Sequence, residues 1–160
     1  MIDLSAEWDE IERKAEERRQ SKLGSDKTRS LAYGNHDLIG FATEKAWSIF
    51  SGQPVDDRVL RGGDAGFDTP DGFNVKGTKY ANGHLVHTVG DPWPPAGFIL
   101  VYVDLVAKTA VVQGWATNSE MKRSEPTEWR SGMCHAIHNR DLRPIPQASN
   151  TDTTTPKPLI

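Results

Sequence analysis

A single cysteine, Cys134, in a chain of 160 residues leaves no internal disulfide to form and excludes a zinc site built from several thiolates. No apolar run approaches the ~18 residues that would cross a bilayer as a helix, and the N-terminus has no hydrophobic signal-peptide core. These absences set the expectation of an intracellular protein with no membrane partner. There is no G-x-S-x-G elbow, no G-x-G-x-x-G and no P-loop, so neither Ser-His-Asp hydrolysis nor nucleotide binding has a local signature. Surplus positive charge is missing too. The net charge of −3 argues against a protein that coats nucleic acid through basicity alone, but it leaves room for an enzyme whose acids gather at a metal site. What remains, 36% apolar and 26% charged, is the composition of an ordinary globular chain long enough to bury one core.

The chain divides into an N-terminal helix and loop over 1–34, a core over 35–146, and a tail over 147–160. The tail, rich in Ser, Thr, Asn and Pro, is expected to be disordered. Leu4, Trp8, Ile11 and Ala15 recur at helical spacing and predict a helix over 5–23 with a narrow apolar stripe. So thin a stripe can dock on the domain or on a second copy of the chain, the latter making a homodimer. A second helix is expected over 37–50, with Leu38, Ile39, Ala42, Ala46, Ile49 and Phe50 buried and Glu44 facing roughly away, between Phe41 and Trp47. Strands are expected over 58–61, 85–89, 98–105 and 109–116. FILVYVDL, apolar on both faces, marks 98–105 as a central strand. Thr117 or Asn118 can cap a short helix over 119–123. Residues 126–132 read as loop, 133–137 as a short strand, and 142–145 as a segment tucked against an edge.

The most informative stretch is GGDAGFDTPDGFNVKGT, residues 62–78. Pro70-Asp71-Gly72 predicts a hairpin turn in which proline presets φ and Gly72 takes the left-handed position of a bulge. Asp68 and Asn74 then lie on facing strands. Side chains alternate, so Asp64, Asp68, Asn74, Lys76 and Thr78 share a polar face while Phe67, Phe73 and Val75 turn inward. Two readings of the polar face compete. In one it is a solvated surface, with Lys76 paired to an aspartate for about 0–1 kcal/mol. In the other, carboxylate and amide oxygens hold a hard cation and the lysine steadies an anion or positions a nucleophile.

An Asp closing one strand and Asn-Val-Lys in the next resemble the PD-(D/E)XK nuclease motif, with Asn74 where that family usually carries Asp or Glu. The segment GFATEKAW is similar to the helix that supplies a glutamate in those enzymes, and the likeness extends over about residues 37–123. The resemblance, to small restriction-endonuclease-like proteins of phage or prokaryotic type, implies an α/β single domain with a mixed sheet and a three-layer core. It further implies hydrolysis of phosphodiester bonds in nucleic acid, with DNA the expected substrate and Mg²⁺ (or Mn²⁺) the cofactor. Asp68, Asn74 and Glu44 would be the metal ligands, and Lys76 would orient or activate the attacking water and stabilise the charge that builds in the transition state. The uncharged Asn74 leaves two outcomes open: an enzyme with weakened metal affinity, or an inactive module of the same fold that binds DNA or a protein.

Other candidates carry less. His84 and His87, three apart on an expected strand, fall on opposite faces and should not share a metal. Cys134, His135 and His138 have ligand-like spacing but too few partners for zinc, and a buried thiol beside surface histidines is the expectation.

Overall fold

Leu4, Trp8, Ile11 and Ala15 are all buried, and the core they enter is the chain's own. The computed structural model describes residues 1–22, 35–54 and 68–146. A two-residue strand, β1 (Ile2–Asp3), and a 3-10 turn lead into α1 (Trp8–Lys22). The second helix, α2 (His36–Ser51), ends where Gly52 turns left-handed and its N–H donates to the Ser48 carbonyl at 2.9 Å. The two helices pack together, and Lys45 of α2 reaches Glu7 at 3.4 Å and Glu10 at 3.6 Å.

The buried face of α2 differs from the expected one. Phe41, Ala42, Thr43, Ala46 and Trp47 are inside, whereas Ile49 is 48% exposed. The cause is that α2 is covered from two directions. The Arg18 guanidinium of α1 lies 3.7 Å over the Phe41 ring, while the sheet takes the other side. A wheel drawn for one apolar face misses a helix held between two neighbours.

Strands β2 (Phe73–Thr78), β4 (Gly97–Asp104) and β5 (Thr109–Ala116) join β1 in a sheet ordered β1-β5-β4-β2. β2 runs parallel to β4, and the other pairs are antiparallel. Strands β3 (His84–Thr88), β6 (Thr127–Trp129) and β7 (Gly132–His138) form a second, antiparallel sheet ordered β3-β7-β6. Ile99, Val101 and Val103 of β4 face α1 and α2. Phe98 and Leu100 face Leu85 of β3 and Met121 of α3 (Asn118–Arg123). Burial from both sides explains the unbroken apolar run of β4. The result is a mixed α/β single domain: helices on one face of a mixed sheet, and a small sheet with one short helix on the other.

Several sequence expectations meet their structure closely. Thr117 caps α3 in a reciprocal box with Glu120. Burial opposes ionisation of Glu120, but bonds from Thr117 and from Arg143 at 2.7 Å outweigh it and hold the carboxyl below its usual range. The 142–145 segment does return to the sheet, where Arg143 and Trp115 exchange backbone hydrogen bonds of 2.9 and 3.0 Å. Residues 127–129 are strand rather than loop. Three exposed residues paired only with β7 carry no alternation long enough to read. The expected loop of 24–34, strand of 58–61 and tail from 147 lie outside the described residues, as does the first arm of the hairpin, 62–67.

Candidate active site and the groove beside it

The turn forms as its sequence requires. The Gly72 N–H donates to the Thr69 carbonyl at 3.0 Å, and the Phe73 carbonyl accepts from the N–H groups of Asp68 at 2.8 Å and Thr69 at 3.2 Å. With φ at +88°, Gly72 occupies the left-handed bulge position, and a Cβ there would also press on Pro95 at 3.0 Å. The turn is held from both sides. The Ala96 N–H donates to the Gly72 carbonyl at 2.9 Å, and Gln53 links the Asp71 carboxylate (2.6 Å) to the Trp47 indole N–H (3.2 Å). Asp71 therefore serves to tie the turn to the end of α2.

Asp68 comes out of this turn alongside β2, where its Oδ2 accepts the Val75 N–H at 2.8 Å. Phe73 and Val75 point into the helix-side core. Asn74 and Lys76 alternate with them and share the other face, in register with Phe98 and Leu100 of β4. The turn thus sets Asp68 against the strand that carries Asn74 and Lys76. Lys76 is half-buried and opens into a groove of about 820 Å³ that Lys79, Tyr80, His84 and Trp129 also line. Among the described residues no hydrogen bond or ion pair holds Lys76, so the expected surface pair with an aspartate does not form there.

Glu44 stands elsewhere. It lies in the helix layer, with its Oε1 3.6 Å from Arg18 Nη1 and both side chains largely buried. α2 meets β2 on the face opposite Asn74 and Lys76, where Thr43 and Ile39 crowd Gly77. The structure therefore places the Asp68 carboxylate at the Val75 backbone, between the positions of Asn74 and Lys76 on β2, and places Glu44 behind the strand, against α1. Asp64 lies outside the described residues.

Among the described residues no group of three or more His, Cys, Asp or Glu is assembled to hold a metal. The Asp68 carboxylate and the Asn74 amide nevertheless supply two hard oxygen donors. Mg²⁺ commonly takes only one or two protein carboxylates and completes its shell with water and substrate phosphate, so this donor set fits an open, weakly charged site.

The two central histidines diverge as expected from their spacing. His84 is exposed, its ring 4.8 Å from His138 and 5.5 Å from Trp129. His87 is 1% exposed, packed 4.4 Å from Trp93 and 5.0 Å from Phe98, and neither ring nitrogen has a hydrogen-bond partner among the described residues. Burial, then the nearby Lys76 charge, lowers its pKa from 6.5. Asp91 pulls the other way, and His135 adds to the lowering. The folded state thus binds fewer protons than the unfolded state below pH 6.5, so stability must fall as pH drops through that value. Chemical denaturation at pH 7 and pH 5 checks this: the midpoint is expected to fall further for wild type than for His87→Phe. An equal fall would show that His87 does not govern the acid limb.

Cys134 is buried, and His135 sits with Nδ1 2.7 Å from the Ser124 carbonyl, both on β7. The sequence reading passed over Trp129 and Tyr80. Trp129 fell in a stretch taken for loop, where three exposed residues gave no signal of a strand. No family model, curated protein or solved structure matches this chain.

Proposed function

We propose that this protein hydrolyses phosphodiester bonds of nucleic acid, DNA foremost, with a divalent cation at the Asp68–Asn74 end of β2, on a core of restriction-endonuclease-like kind. One observation carries the reading. A glycine-dependent bulge lays the Asp68 carboxylate against the strand on which Asn74 and Lys76 share a face, and that face opens into a cationic groove.

Asp68 and Asn74 would hold Mg²⁺ or Mn²⁺. When bound, such a cation polarises a phosphate oxygen and acidifies its water. Asp68 contributes the charge and Asn74 a neutral oxygen, so affinity rests mainly on Asp68. Lys76, cationic and not engaged by a carboxylate among the described residues, binds the scissile phosphate and stabilises the negative charge that grows as water attacks phosphorus and the ester oxygen departs. Glu44 would enter only through an outer water or a shift of α2, because Arg18 already engages it.

A second reading is a module of this fold that binds nucleic acid without turnover. The Arg18 pair at Glu44 and the uncharged Asn74 favour it, since both reduce the negative charge available to a cation. Incubating labelled DNA with the protein in Mg²⁺, Mn²⁺ or EDTA separates the two. Metal-dependent cleavage supports the enzyme; salt-sensitive binding with intact DNA in every tube supports the module.

A further inference from the structure

The chain is net negative, yet among the described residues no acidic side chain lines the groove beside Lys76; its charged lining there is Lys76, Lys79 and, when protonated, His84. A groove whose described lining carries cations and no carboxylate, in an acidic protein, is complementary to a polyanion. Its other notable groups are aromatic. Tyr80 is 63% exposed and its ring lies 5.4 Å from the Lys79 ammonium. Trp129 is 37% exposed on β6, whose three residues are all exposed.

Trp129 is also fixed. Its indole N–H donates to Thr127 Oγ1 at 3.0 Å, and His84 meets the ring edge-on at 5.5 Å. An exposed indole held from both ends is a rigid platform, which costs little entropy when a flat group stacks on it. Cations interleaved with exposed aromatics on a groove floor is the arrangement that takes unpaired bases and their phosphates together. A duplex keeps its base faces stacked internally and cannot use such a platform.

We propose that this groove binds single-stranded nucleic acid, with a base stacked on Trp129 and adjacent phosphates on Lys76 and Lys79. The assignment rests on the reading of Lys76 as a phosphate-binding group and narrows the substrate of that site to unpaired strands. His84 reports on it. Burial first, then the charges of His138 and Arg140, hold its pKa below 6.5, and a bound phosphate would reverse that push.

Anisotropy titrations of labelled oligo-dT, oligo-U and a duplex of equal length, all in EDTA, test the proposal without any cleavage. One or both single strands should bind more tightly than the duplex. Trp129→Ala should weaken single-strand binding about tenfold or more, with Trp129→Phe retaining most of it. Lys79→Gln should flatten the salt dependence. NMR titration of His84 should show its pKa rising in the complex. Trp129→Ala binding as well as wild type, or a duplex binding as well as both single strands, would overturn the proposal. Failure of the nuclease reading looks different: Trp129-dependent binding with no cleavage in Mg²⁺ removes catalysis and keeps this site. Cleavage indifferent to Trp129 removes this site and keeps catalysis.

Discussion

Lys76→Ala is expected to lower metal-dependent cleavage of DNA by about 10²–10³-fold, the usual loss when one preorganised group that stabilises transition-state charge is removed. The fold should scarcely notice. Lys76 makes no hydrogen bond or ion pair with a described residue, so truncation leaves no buried partner among them, and a half-exposed site of this kind changes stability within about 0.5 kcal/mol. His87 sharpens the expectation. The Lys76 charge is one of the influences that lower the His87 pKa, so the alanine variant should also lose less stability between pH 7 and pH 5. Activity, measured with Mg²⁺ and with Mn²⁺, and the unfolding midpoint must therefore separate. Equal cleavage by wild type and variant would end the enzymatic reading; a collapse of both together would make Lys76 structural. Lys76→Arg keeps the charge but not the compact ammonium, and should fall between the two.

Gly77→Ala should destabilise the protein by about 1–3 kcal/mol. A Cβ at Gly77 would collide with the Thr43 hydroxyl and meet the Ile39 side chain at 3.0 Å, so α2 would have to lift from β2. Thr43 is buried and its hydroxyl has no hydrogen-bond partner among the described residues, so removing it costs little. The double variant Gly77→Ala, Thr43→Ala is therefore expected to recover most of the loss. Urea unfolding of the four proteins in the cycle measures the coupling. Additive losses would contradict a direct contact and move the cause to the backbone of β2.

What the sequence made legible was local. The PDG turn, the apolar stripe of α1, the Thr117 cap and the central strand FILVYVDL each follow from a few neighbouring residues whose chemistry admits little choice. What it concealed was set by neighbours distant in the chain. Phe41 and Trp47 were placed beside Glu44 and outside the expected buried face, but α1 and the sheet enclose α2 and bury both. β2 was read through its antiparallel partner, yet its ladder among the described strands is parallel to β4, across a connection that passes through β3. The candidate site divides the same way. The Asp68–Asn74–Lys76 grouping comes from one turn and a period of two, both visible in the sequence. The separation of Glu44 comes from the docking of a helix and its pairing with Arg18, which no spacing encodes. Trp129 and Lys79 meet in one groove only because the second sheet folds over the first.

No helix among the described residues is long and apolar enough to cross a membrane. The decisive observation concerns the cation. Crystals grown in Mn²⁺ and measured where manganese scatters anomalously should show a peak between the Asp68 carboxylate and the Asn74 amide oxygen, on the side of β2 that Lys76 shares. Absence of a peak there in well-ordered, Mn²⁺-saturated crystals would contradict the proposed cation site and the hydrolytic reading built on it.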